Sequence, residues 1–268
     1  MEAKTKFPVA DPEKIPLEEF SVDSTIPKPE NHIRIVVISD THAQATKLDI
    51  PEGDILIHAG DFTNRGTSKE VKGFKKFLTS CSHPQKIVIA GNHDRCFEPE
   101  YYQASHKDAP NPESFTIEKA LQTKSLIESS CTYLEDSSVE LYGYKFYGTP
   151  WVPYIWGAFN LKTEGQLAEK WEKIPADCDI LITHGPPHGI GDQTTRGMSV
   201  GSRSLAKKLL FEGENNIKYH IFGHIHESRG IYQVGEKTFI NAASLNHPSR
   251  DLRGPIVFDL PIRCQAEQ

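Results

Sequence analysis

Five apolar runs punctuate the chain, and each ends in a short polar cluster. Residues 35–38 lead to Asp40, 55–57 to Asp61, 87–89 to Asn92, 180–182 to His184, and 221–222 to His224. The runs are continuous rather than alternating, which predicts strands buried on both faces. Polar groups just beyond strand ends can converge at one edge of a sheet. Between the runs the spacing becomes helical. Thr67 and Glu70 form a capping box ahead of Val71, Phe74, Phe77 and Leu78. Ile117, Ala120, Leu121 and Ile127 predict a second helix with one buried face. Leu167, Trp171 and Ile174 predict a third, and Leu205, Leu209 and Leu210 a fourth. Residues 139–147, with Gly143 in the middle, read as a hairpin or a bulged strand. Residues 237–240 and 256–258 predict two further strands.

The polar clusters carry the chemistry. They are Asp40-Thr41-His42, Gly60-Asp61, Gly91-Asn92-His93-Asp94, Thr183-His184-Gly185 and Gly223-His224-Ile225-His226. Taken singly, each has an ordinary reading: Gly-Asp is a common turn, and the chain has 12 histidines. As an ordered set they offer two Asp, one Asn and four His as ligands, with His93 and Asp94 left over. That suffices for two neighbouring divalent ions and one unligated imidazole, the equipment for metal-assisted attack of water on a phosphate ester. Imidazole and oxygen donors without thiolate suit borderline or hard ions: Mn first, with Fe, Zn, Ni, Co or Mg as the other occupants.

Composition narrows the partners. The formal net charge of -6 advertises no basic face for nucleic acid. Five cysteines (Cys81, Cys96, Cys131, Cys178 and Cys264) are odd in number and never form C-x-x-C, which argues against a disulfide framework or a zinc knot. With no apolar leader and no membrane-length stretch, the expectation is a cytoplasmic protein without a membrane partner. Ligands from Asp40 to His226 must meet, so residues 33–268 are expected to form a single domain. Residues 1–32, with Pro8, Pro12, Pro16, Pro27 and Pro29, read as an extended segment that Phe7, Leu17 and Phe20 could anchor.

The ordered motifs resemble those of the calcineurin-like metallophosphoesterases, whose pattern runs D-x-H, GD, GNH[D/E], a lone H and GHxH. The resemblance spans residues 34–244, and Gly185-Pro186-Pro187 and Gly223-His224-Ile225-His226-Glu227 are similar to its small metallophosphoesterase-domain-containing branch. It implies an α/β fold, a two-sheet β-sandwich flanked by helices in four αββα layers. It also implies that Asp40, His42 and His226 hold one metal and that Asp61 bridges to a second, completed by Asn92, His184 and His224. His93 would be the catalytic histidine, positioned by Asp94, with Asn92 and His93 also touching substrate. A small phosphodiester is the expected substrate, nucleotide-like and with cyclic nucleotides among the choices. A phosphomonoesterase, including a protein phosphatase, and a nucleotide-binding scaffold with negligible turnover stay open.

Other segments carry weaker signals. Residues 95–112, with Tyr101, Tyr102 and His106, read equally as a substrate cap or a surface connection. Cys96 reads as a packed thiol more readily than as a pocket residue. Trp151, Tyr154 and Trp156 could stack a nucleobase, but packing is the favoured reading. Arg196 or Arg203 could meet a substrate phosphate, against a default of solvated charge. A last substrate contact is expected near residues 241–244.

Overall fold

The computed structural model describes residues 12–153, 156–213, 215–246 and 249–263. Along the chain, β1 (Glu13–Ile15) and the one-turn α1 (Leu17–Phe20) precede β2 (His32–Ile38), β3 (Ile55–Ala59), α2 (Ser68–Ser80) and β4 (Gln85–Ile89). Next come α3 (Pro99–Ser105), α4 (Ile117–Glu128), β5 (Thr132–Tyr133), β6 (Ser137–Leu141) and β7 (Tyr144–Thr149). The short pair β8 (Val152–Pro153) and β9 (Asn160–Leu161) leads to α5 (Glu164–Trp171) and β10 (Ile180–Thr183). Then follow α6 (Arg203–Leu210), β11 (Tyr219–Phe222), β12 (Gly230–Val234), β13 (Lys237–Asn241) and β14 (Ile256–Pro261).

The strands form two large sheets, ordered β14-β2-β3-β4-β5 and β1-β12-β13-β11-β10-β7-β6. Alternate residues of the central strands face opposite ways, and here both ways are dry. Ile35, Val37, Ile55, Ile57, Ile87 and Ile89 of the smaller sheet meet Phe146, Ile180, Ile182, Ile221 and Ile240 of the larger one in a central core. On its other face the smaller sheet turns Val36, Ile38, Leu56 and Val88 toward Val71, Phe74 and Phe77 of α2 and Ala120 and Ile127 of α4. The larger sheet turns Tyr147, Leu181, Phe222 and Phe239 toward Leu167 and Trp171 of α5 and Leu205 and Leu209 of α6. The result is the four-layer helix–sheet–sheet–helix arrangement, and it explains why the strands read as unbroken apolar runs.

The four expected helices form, although the third ends at Trp171 and leaves Ile174 buried in the turn beyond it. Thr67 and Glu70 make the reciprocal capping box of α2, and Ser202 caps α6 through the Leu205 amide. On α4, Ala120 and Ile127 are buried, but Leu121 lies on the outer side and is exposed. Residues 137–149 form the β6–β7 hairpin, turned by Tyr142 and Gly143 in left-handed backbone. The leading segment, as far as it is described, lies against both sheets. β1 pairs with β12, while Ser21 Oγ accepts from Val257 N and Val22 N donates to Val257 O on β14. Phe20 packs on Phe258 with ring centroids 5.5 Å apart. Leu17 is exposed and so does not anchor the segment; Phe7, Pro8 and Cys264 lie outside the described residues.

Candidate metal centre

Parallel pairing of β3 with both β2 and β4, and of β10 with β11, brings five strand ends to one rim of the sandwich. The connecting turns are tight. Asp40, His42, Asp61 and His224 all adopt positive φ, at 51°, 42°, 57° and 67°. Such backbone is uncommon outside glycine, and several non-glycine cases in one small site mark it as functionally shaped. The glycines preceding the ligands have a steric role. A Cβ at Gly91 would strike the Asp61 carboxylate, and one at Gly223 would strike that of Asp40. The Gly–polar pairs of the sequence therefore make room for each other's side chains.

Two groups of donors result, linked by a third. Asp40, His42 and His226 lie with ligand atoms within 4.8 Å of one another, as do Asp61, His184 and His224. Asp61 also groups with His42 and His93. Its Oδ1 accepts from the His93 amide at 2.8 Å, and its Oδ2 lies 3.3 Å from His184 Nε2 and 3.8 Å from His42 Nε2. One carboxylate oxygen thus faces both groups. Asn92 joins the second: its Nδ2 donates to the Trp156 carbonyl at 2.9 Å, turning Oδ1 to within 3.1 Å of His184 Nε2.

The donor set fits cations. His184 Nδ1 is 3.0 Å from the Ala59 carbonyl, so it carries a proton and leaves Nε2 as a lone-pair atom in the neutral ring. That nitrogen faces the Asn92 amide oxygen, another acceptor, and the Asp61 carboxylate. Likewise His42 Nε2 and His226 Nε2 approach to 3.3 Å beside Asp40. Acceptors crowded against acceptors need either protons or metal ions between them. Protonation is the answer of the protein alone. Burial works against a charged His184, yet Asp61, Asp40 and the Ala59 carbonyl together outweigh it and raise the pKa to about 9. Burial likewise opposes ionised Asp40 and Asp61, but the neighbouring imidazoles, His226 for the first and His184 for the second, hold both carboxyls well below their ordinary value. His42 and His224 are pushed down by burial, to about 4 and about 3, and stay neutral.

His93 stands beside both groups. Its Nδ1 is 2.8 Å from the Asn64 carbonyl and its ring makes an edge contact with His42 at 4.7 Å. Asp94 does not position this ring. Its carboxylate accepts from Gly91 N, Thr63 N and Thr63 Oγ1 at 2.8 to 2.9 Å and from Phe62 N at 3.3 Å. It pins the loop of Gly91 to that of Asp61, and burial together with the Asp61 charge raises its pKa to about 8.

The groups open into a cavity of about 410 Å³ lined by His93, Asn64, Trp156, Glu227, Leu245 and Arg250, among others. Arg196 and Arg203 are exposed elsewhere, and the arginine of this cavity is Arg250. Trp156 is 52% exposed at the rim, whereas Trp151 packs inside with its indole N–H on Asp136. Tyr154 lies outside the described residues. Cys96 is fully buried against the apolar cluster behind β4, and from residues 95–112 no side chain lines the cavity. Residues 241–244 are buried too; Asn241 Nδ2 donates to Gly191 O and Ile225 O, fixing loops rather than facing the cavity. A sequence signal existed only for Asn64, three positions after Asp61, and Glu227, next to His226.

Residues 33–228 match the family described as Calcineurin-like phosphoesterase. Metallophosphoesterase domain-containing protein 1 of Homo sapiens is 40% identical over 241 residues, covering 88% of this chain and 73% of that protein. A UPF0046 protein of Caenorhabditis elegans is 40% identical over 251 residues, covering 92% of this chain and 87% of its own. No helix among the described residues is long and apolar enough to cross a membrane. The chain belongs to the calcineurin-like phosphoesterase family, whose members are metal-dependent hydrolases of phosphoesters.

Proposed function

We propose that this protein is a dinuclear phosphodiesterase acting on a small, nucleotide-like phosphodiester, cyclic nucleotides included, with manganese as the first choice of ion. The observation that carries the reading is the sharing of Asp61 between two donor groups with an anchored imidazole beside them. Asp40, His42 and His226 would hold one ion, and Asn92, His184 and His224 the other, with Asp61 touching both. When bound, such a pair of ions neutralises phosphoryl charge and lowers the pKa of a shared water.

The chain's own residues supply the rest. The Asn64 carbonyl holds the Nδ1 proton of His93, which leaves Nε2 as the nitrogen that serves the cavity. As imidazolium, His93 gives its Nε2 proton to the departing oxygen and then regains it from solvent. Asp94 acts at one remove, by fixing the loop that carries Asn92 and His93. The cavity's volume lies in the range for small-molecule sites, and Trp156 and Leu245 give it apolar surface for an organic substituent. Free thiols at Cys81, Cys96, Cys131 and Cys178 accord with a cytoplasmic setting.

The test is hydrolysis of bis(p-nitrophenyl) phosphate against p-nitrophenyl phosphate with Mn²⁺, for wild type and His93→Ala. A diester preference that collapses in the variant supports the reading. A monoester preference makes the protein a phosphatase instead, and absence of metal-dependent turnover on either favours a binding scaffold.

A further inference from the structure

We infer that Trp156 selects the leaving group, favouring substrates whose departing alcohol carries a flat aromatic group. The inference rests on the phosphoester reading above and adds a substrate feature to it. Three observations place the indole where that group must pass. Its ring makes an edge contact with the His93 imidazole, centroids 5.1 Å apart and planes at 68°. A leaving oxygen that takes its proton from His93 therefore carries its substituent toward Trp156. The Arg95 guanidinium lies 4.3 Å from the Trp156 ring centroid, a cation–π contact that steadies the ring. Even so, the residue keeps 52% of its surface exposed and lines the cavity.

A large exposed aromatic held in a fixed pose is poor packing and a good platform. Stacking an aromatic group on such a ring removes apolar area from water on both partners and discriminates little among different bases, because every base has a π-face. The backbone of the same residue has a separate duty, since the Trp156 carbonyl accepts from the metal-site Asn92. Replacing the side chain leaves that carbonyl in place, so platform and scaffold can be separated.

The experiment is binding calorimetry on Mn²⁺-loaded protein with two phosphinates, which carry a diester's two organic groups and single charge and cannot be hydrolysed. Benzyl(methyl)phosphinate puts a methylene where an aryl ester has its oxygen, and ethyl(methyl)phosphinate lacks the ring. Wild type is expected to prefer the benzyl compound by about 10-fold, in line with the worth of one stacked ring. Trp156→Ala should erase that preference while the ethyl compound binds as before, and Trp156→Phe should keep part of it. The inference is overturned if the preference persists in Trp156→Ala, or if both compounds weaken equally, which would mark the indole as support for Asn92. Binding of the ethyl compound to wild type without a benzyl preference defeats the inference alone. If neither binds wild type, the phosphodiester reading falls and the inference with it.

Discussion

Asn92 donates its amide N–H to the Trp156 carbonyl at 2.9 Å, and by doing so aims its amide oxygen at His184 Nε2, 3.1 Å away. The orientation of a neutral ligand is thus set by backbone from a different loop. Asn92→Ala should weaken the second ion by at least about 10-fold, the lower bound for losing even a supporting group of a metal site. Calorimetric titration with Mn²⁺ would then show one strong site where wild type shows two. Two unchanged sites would remove Asn92 from the ligand set.

Asp61 and Asp40 differ in how many donor groups they join. Asp61→Asn keeps an acceptor for the His93 amide and tolerates the left-handed backbone at that position, φ 57°. It should nevertheless strip both ions from dialysed protein. Asp40→Asn should remove chiefly the ion of His42 and His226. Elemental analysis of metal per chain distinguishes the two; equal losses would contradict a shared Asp61.

His93→Ala removes a proton donor and its bond to the Asn64 carbonyl, while the His93 amide still donates to Asp61. A fall in kcat of about 10²- to 10⁴-fold is expected, the usual range for general acid catalysis, with metal content unchanged. Loss of metal in parallel with kcat would make His93 a ligand.

His58 and His220 form matching buried pairs with threonines, Nε2 to Thr41 Oγ1 at 2.9 Å and to Thr183 Oγ1 at 2.8 Å. Burial lowers both imidazole pKa values to about 3, against an ordinary 6.5. Between those limits the unfolded chain binds more protons, so stability is full above pH 6.5 and falls as the pH drops toward 3. Each histidine contributes a slope of about 1.4 kcal/mol per pH unit. Urea titrations of metal-free protein should show His220→Gln losing roughly one such slope; an identical pH profile would mean that the native ring is already charged.

The sandwich was legible because its strands are buried on both faces: residues 35–38 and 87–89 have no polar position to hide. The ligands were legible because they cluster just past strand ends, and Asp61, Asn92 and His224 each follow a glycine that admits a neighbouring side chain. What escaped depends on contacts between loops. Asp94 looks in sequence like a partner of His93, but its oxygens are taken by the Gly91 amide of its own loop and by Phe62 and Thr63 of the Asp61 loop. Arg250 enters the cavity from a turn that no spacing rule connects to His226. The exposure of Trp156, and of Leu121 and Leu17, depends on what lies opposite them, which helical or aromatic patterning cannot encode. β1 was too short and too polar to announce itself as a strand.

The register of β14 on β2 sets an order of events in the life of the chain. Arg34 and Asp259 are cross-strand partners, and their side chains close a bidentate, almost wholly buried ion pair at 2.9 Å. β2 delivers Asp40, the earliest of the metal-site residues to be synthesised, yet its outer edge stays bare until residues 256–261 emerge. A ribosome will have finished every ligand from Asp40 to His226 before the strand that fastens the first of them exists. Closure of the sheet edge beside Asp40 therefore waits for the last of the described strands to be made.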